Sequence, residues 1–156
     1  LRKKYRPKGI RLDVMAYVQS GLKRFDDVSV AVDLRIKNHA AMEALRTGLA
    51  NKDDIDILIG AFNMTEAFRR YKPELGLDWA KEIRAGQDAL FEVGKRGAVS
   101  GKFICKAEEL VAMNLVMEIH DIQLSNVTVK DMEQAMDIIS SDFRHRKARS
   151  IVHGVV

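Results

Sequence analysis

The chain has a single cysteine, Cys105, two prolines, Pro7 and Pro73, and one tryptophan in 156 residues. One cysteine excludes an intrachain disulfide framework and suits a reducing compartment. Neither proline falls inside a periodic segment, so nothing interrupts helices. No apolar run approaches the ~20 residues that cross a bilayer. The basic N-terminus is followed by no continuous apolar segment of the signal-peptide kind. No membrane partner and a cytoplasmic setting are therefore expected. Also missing are Gly-x-Ser-x-Gly, Gly-x-x-x-x-Gly-Lys-Ser/Thr and Gly-x-Gly-x-x-Gly, the patterns that would signal acyl transfer, a phosphate loop or a dinucleotide fold.

What is present is helical rhythm. Apolar residues make up 47% and charged residues 31%, a balance that suits one folded domain of this length. The richest stretch is 106–144. Over 106–124, Leu110, Met113, Met117 and Leu124 make one row and Val111, Leu115, Val116, Ile119 and Ile122 fill much of the rest. A helix that is apolar nearly all round is expected to be buried as a central strut. After a turn at 125–128, with Thr128 as N-cap and Asp131 three residues on, Val129, Met132, Met136, Ile139 and Phe143 recur every three or four residues.

The remaining elements follow from the same rule. Asp13 can cap a short helix whose Val14, Val18 and Leu22 share a face. Val28, Val30 and Val32 alternate in a strand-like way, but too briefly to pair, and 25–32 reads as a loop or an extended lead-in. A helix is expected over 33–49 with Leu34, Ala41, Leu45 and Leu49 inward. Asn51 then caps a helix to Tyr71, with Asp53 and Asp54 in its first turn. Its main face is Ile55, Leu58, Ile59, Phe62 and Thr65, and a second edge is Met64, Phe68 and Tyr71. After a turn at 72–76, a helix over 78–94 carries Trp79, Ile83, Gly86, Leu90 and Val93. Gly86 on that stripe points to a close helix crossing, and Gly94, Gly97 and Gly101 to a frayed end and loop. The fold class is all-α, a bundle of five to six helices: a basic arm over 1–9, one domain over 10–149 and a tail over 150–156.

Charge is segregated. Of the 26 lysines and arginines, nine sit in two terminal runs, and the remaining 17 face 22 acidic residues. The body is thus mildly acidic between basic ends. Arg2, Lys3, Lys4, Tyr5, Arg6 and Lys8 mix cations with an aromatic ring, a combination that follows phosphates and stacks a base. Arg144, Arg146, Lys147 and Arg149 close the last helix, where the dipole favours cations in any case. No helix-turn-helix pattern accompanies them, so contact with nucleic acid would be made through the backbone.

Candidates for chemistry are few. Glu118 and His120 are separated by one residue, which sets them about 200° apart on a helix and spoils the Glu-x-x-His spacing of di-iron bundles. His39 and Glu43, one turn apart, can share an ion or a hydrogen bond. No metal or cofactor is assigned. Asn114, Glu118, Asp121 and Ser125 form a polar seam, either solvated or turned towards a partner or pocket, and its two carboxylates would suit acid–base work if buried. Cys105, at a helix start, is either a packing residue or a stabilised thiolate. Gly94, Lys95, Arg96 and Gly97 offer a weak anion loop.

In the runs Lys4 to Lys8, Leu34 to Ala40 and Asn114 to Asp121 the chain resembles short uncharacterised proteins encoded in phage-like regions of proteobacteria. The resemblance implies a phage or mobile-element accessory protein that binds other macromolecules. The expected function is a non-enzymatic, self-associating interaction module whose basic ends engage nucleic acid or an acidic protein. The alternatives are a protein-binding inhibitor or adaptor using an exposed helix face, such as the Asn114 to Ser125 row or the Met64, Phe68 and Tyr71 edge, and a metal- or carboxylate-dependent helical enzyme in which Glu118, His120 and Asp121 converge.

Overall fold

A computed structural model of the protein describes residues 14–145, 149–150 and 154–155. It is all-α, with six helices: α1 Val14–Leu22, α2 Ser29–Arg46, α3 Lys52–Tyr71, α4 Ala80–Ser100, α5 Ala107–Leu124 and α6 Val129–Arg144. Two-residue strands, β1 Arg149–Ser150 and β2 Gly154–Val155, pair antiparallel after α6. The expected arm over 1–9 and the Asp13 cap lie outside the described residues.

The centre of the bundle is α3, not α5. It packs against α2, α4, α5 and α6, and each half of it serves a different core. Ile55, Leu58 and Phe62 join Met42 and Leu45 of α2, Leu90 and Val93 of α4, and Met113, Val116 and Met117 of α5. Met64, Ala67 and Phe68 join Phe25, Ala31, Leu124, Val127 and Ala135. The Met64, Phe68 and Tyr71 edge is consequently no docking edge: Met64 and Phe68 are buried beneath the second core. By contrast α5, although apolar nearly all round, leaves Val111, Leu115 and Ile122 exposed, because no helix among the described residues covers that side.

The capping expectations at Asn51 and Thr128 hold. Asn51 Oδ1 accepts from the Asp54 backbone N–H at 3.1 Å, and Asp54 returns a bond to the Asn51 N–H at 2.9 Å. Thr128 and Asp131 make the same reciprocal pair before α6. Such boxes satisfy amides that the helix itself leaves unbonded.

Several boundaries differ from the expectations. Helix α2 begins at Ser29, not Asp33, because Ala31, Leu34, Asn38, Met42 and Leu45 make one continuous inward row. The alternating Val30 and Val32 merely face solvent. The helix also ends early. Gly48 adopts φ +75, and the Leu49 N–H bonds back to the Ala44 carbonyl at 2.8 Å, a left-handed cap that turns Leu49 outward.

Helix α4 runs through Gly94 and Gly97 to Ser100, so the anticipated anion loop is helix. Gly97 is a packing device rather than a breaker. A Cβ on Gly97 would stand 2.0 Å from the Phe103 ring. One on Gly86 would stand 2.2 Å from Val116 Cγ2, which confirms the close crossing of α4 and α5.

Helix α6 is rotated relative to its apolar stripe. Asp131 and Ala135 are its buried residues, while Met136 and Phe143 are 51% and 59% exposed. Two polar contacts pin that rotation. Lys72 Nζ meets Asp131 Oδ2 at 2.8 Å and Arg70 meets Asp142 at 2.6 Å, so α3 grips α6 along the line 131–135–142.

Candidate functional site

The polar seam of α5 is divided by its neighbours. Asn114 and Glu118 are exposed. One turn further on, α2 crosses and takes up the rest. Arg35 Nη1 donates to Asp121 Oδ1 at 3.3 Å, and its Nη2 reaches Ser125 Oγ at 2.9 Å and Asp26 Oδ1 at 2.8 Å. His39 Nε2 sits 2.7 Å from Asp121 Oδ2. The lower seam thus faces a partner within the chain, and Arg35 and Asp26, neither singled out by sequence, complete it. Glu43 goes to Arg46 rather than to His39, and that bond holds its carboxyl below the usual range.

Glu118, His120 and Asp121 do not converge. Glu118 points to solvent, Asp121 to α2, and His120 into the interior, where it is fully buried. The cleft that a metal- or carboxylate-dependent reading requires of these three is not formed. No group of three or more metal-type ligands occurs among the described residues.

In place of that cleft, the structure brings together a buried polar clamp between α3 and α5. Thr65, His120 and Gln123 are each fully buried. Thr65 Oγ1 lies 2.9 Å from the Ala61 carbonyl and 3.0 Å from His120 Nδ1. Gln123 Nε2 donates to the carbonyls of Thr65 at 3.1 Å and Leu75 at 2.8 Å. Burial, more than the neighbouring charges, pushes the His120 imidazole down to about 4, so it stays neutral. The sequence did carry a signal: His120 and Gln123 fall on the same helical stripe as Met113, Val116 and Met117.

Cys105 is a packing residue. It is half-buried against the first core, and burial first, then the Glu109 carboxylate, pushes its thiol up to about 11. This is the reverse of an activated thiolate. The nearby Arg96 instead forks onto Glu109 at 2.6 and 2.8 Å, tying α4 to the start of α5.

Of the basic ends, Arg144 is exposed at the last turn of α6 and Arg149 lies in β1. Arg2, Lys3, Lys4, Tyr5, Arg6, Lys8, Arg146 and Lys147 lie outside the described residues. The helices that flank the two runs in sequence, α1 and α6, are in contact. The N–H of Val129 bonds to the Lys23 carbonyl and the N–H of Phe25 to the Val127 carbonyl, so the end of α1 meets the start of α6. Helix α1 also packs on α6. No helix among the described residues is long and apolar enough to cross a membrane. Comparison of the chain with known protein families, with curated proteins and with solved structures finds no match to any of them.

Proposed function

We propose that this protein is a non-enzymatic helical interaction module, a phage or mobile-element accessory protein of the bacterial cytoplasm. In this reading it self-associates, and its basic ends engage nucleic acid or an acidic partner. The observation that carries the reading is the apolar exposure on two helices that pack together, α1 and α6. Val18 and Leu22 on α1 are exposed, as are Met136 and Phe143 on α6. Apolar faces left open in this way are typical of surfaces that meet another macromolecule. The same pair carries both charged runs, one leading into α1 and the other leaving α6. Clustered charge of one sign steers an acidic partner.

A salt series tests the nucleic-acid branch. Binding of a short duplex and of a single strand, followed by gel shift, should weaken steeply as salt rises, because released counterions drive it. No shift at low salt removes that branch and leaves the acidic protein. Self-association is tested by sedimentation: Met136→Glu with Phe143→Glu should yield a smaller species than the parent chain, and an unchanged monomeric parent refutes it.

A second reading, a protein-binding inhibitor or adaptor, is favoured by α5, where Val111, Leu115 and Ile122 stand exposed beside Asn114 and Glu118. Retention of a partner from a nuclease-treated lysate, lost on Leu115→Glu, would support it over the first.

A further inference from the structure

The segment between α3 and α4 closes over the end of α5 and leaves a cavity of about 450 Å³, within the range of small-ligand sites. Leu75, Ile122 and the half-buried indole of Trp79 give it apolar walls, and Glu74 and Asn126 stand at its rim. Gln123 lines it from below. The orientation of that amide is fixed, because its nitrogen donates to two carbonyls, those of Thr65 and Leu75. Its oxygen is left buried and without a hydrogen-bond partner.

At the opening itself, Glu74 and Asn126 are the exposed polar residues. The Asn126 amide nitrogen is committed to the Ile122 carbonyl at 2.7 Å, so the oxygen is what remains to meet a ligand. Glu74 is exposed and forms no ion pair among the described residues. Lys72 also lines the cavity, but its ammonium is held by Asp131 at 2.8 Å, which cancels its charge locally. The site therefore offers one amide oxygen, a carboxylate and an aromatic face. Its complement is a planar cation rich in N–H donors, carried on an apolar stem. A guanidinium stacks on an indole, forks onto a carboxylate and packs its methylenes along apolar walls. An ammonium has the charge without the plane, and a neutral amide the plane without the charge.

We propose that this cavity receives the guanidinium of an arginine side chain. The proposal is independent of the role assigned to the basic ends, although those ends are one source of such a group.

Trp79 is the only tryptophan in the chain, so intrinsic fluorescence reports on this wall alone. The full chain is titrated with N-acetylarginine amide, with the lysine and leucine amides, and with a peptide of residues 1–9. The proposal expects a saturable change with the arginine amide, at least tenfold weaker binding of the lysine amide and no saturation with the leucine amide. Glu74→Gln, an exposed change that spares folding, should weaken the arginine amide about tenfold by calorimetry, the loss of one charge-assisted hydrogen bond. Binding of the 1–9 peptide as well supports a second copy as the source of the arginine; its failure beside a binding amide supports another protein. No saturable change with the arginine amide, or equal binding of the lysine amide and no effect of Glu74→Gln, overturns the proposal.

Discussion

Thr65 Oγ1 and His120 Nδ1 lie 3.0 Å apart at the contact between α3 and α5, both side chains fully buried. The threonine hydroxyl donates to the Ala61 carbonyl. It therefore accepts from the imidazole, which fixes the tautomer with its proton on Nδ1. Protonating the ring would place an unpaired charge in the core, and this is why burial depresses its basicity to about 4. The unfolded chain, with an ordinary histidine near 6.5, binds the proton more readily. Stability should accordingly be complete above about pH 6.5 and fall as pH drops towards 4, by about 3 kcal/mol in all. Urea midpoints measured across that range test this. His120→Leu should flatten the curve, and a parent curve that is flat between pH 4 and 6.5 refutes it.

Thr65→Val should separate the hydrogen bond from the packing. It keeps the volume but leaves the His120 N–H without an acceptor, at a cost of about 1–3 kcal/mol. Chemical denaturation at pH 7 measures this directly, and a neutral substitution would mean that the imidazole finds another acceptor.

Gly60 and Gly86 should respond oppositely to alanine. Gly60 is exposed in α3, and a Cβ there meets nothing within 4 Å, so Gly60→Ala should stabilise by about 0.5–1 kcal/mol through helix propensity. Gly86→Ala drives a methyl onto Val116 and to 3.1 Å from the Ala112 carbonyl. Overpacking of that kind should lower stability by about 1–3 kcal/mol. Thermal melts of the two variants side by side check the sign of each.

Lys72 and Asp131 should prove unequal partners. Burial alone would raise the Asp131 carboxyl, but the Lys72 contact and the Thr128 N–H outweigh it and hold it below its ordinary value. Its contribution is present above the ordinary aspartate range and is lost as pH falls through the depressed folded value. Lys72→Met should cost about 2–3 kcal/mol at pH 7, because a buried carboxylate loses its counter-charge, and the deficit should shrink in acid. A deficit independent of pH would assign the loss to packing alone.

Cys105 should alkylate slowly. With its thiol pushed up to about 11, iodoacetamide labelling of the folded protein at pH 8 should be well below that of the urea-unfolded chain. Equal rates would show that the sulfur is neither buried nor perturbed.

The helices themselves were legible in the sequence because local rules act within a few residues. The Asn51–Asp54 and Thr128–Asp131 boxes, the inward faces of α3 and α4 and the close crossing at Gly86 each depend on residues one turn apart or on a stripe that repeats. What periodicity cannot specify is how many neighbours a helix acquires. An apolar circumference on α5 suggested a central strut, yet α3 took the centre and left Val111, Leu115 and Ile122 uncovered. The orientation of α6 was settled by Lys72 and Arg70, some 60 to 70 positions earlier. Likewise, Gln123 gains its fixed amide only because the Leu75 carbonyl folds over it, and the cavity beside Trp79 exists only once α3, α4 and α5 have docked. Local chemistry dictates where backbone coils; which side chains meet across the core is decided by contacts between residues far apart in the chain.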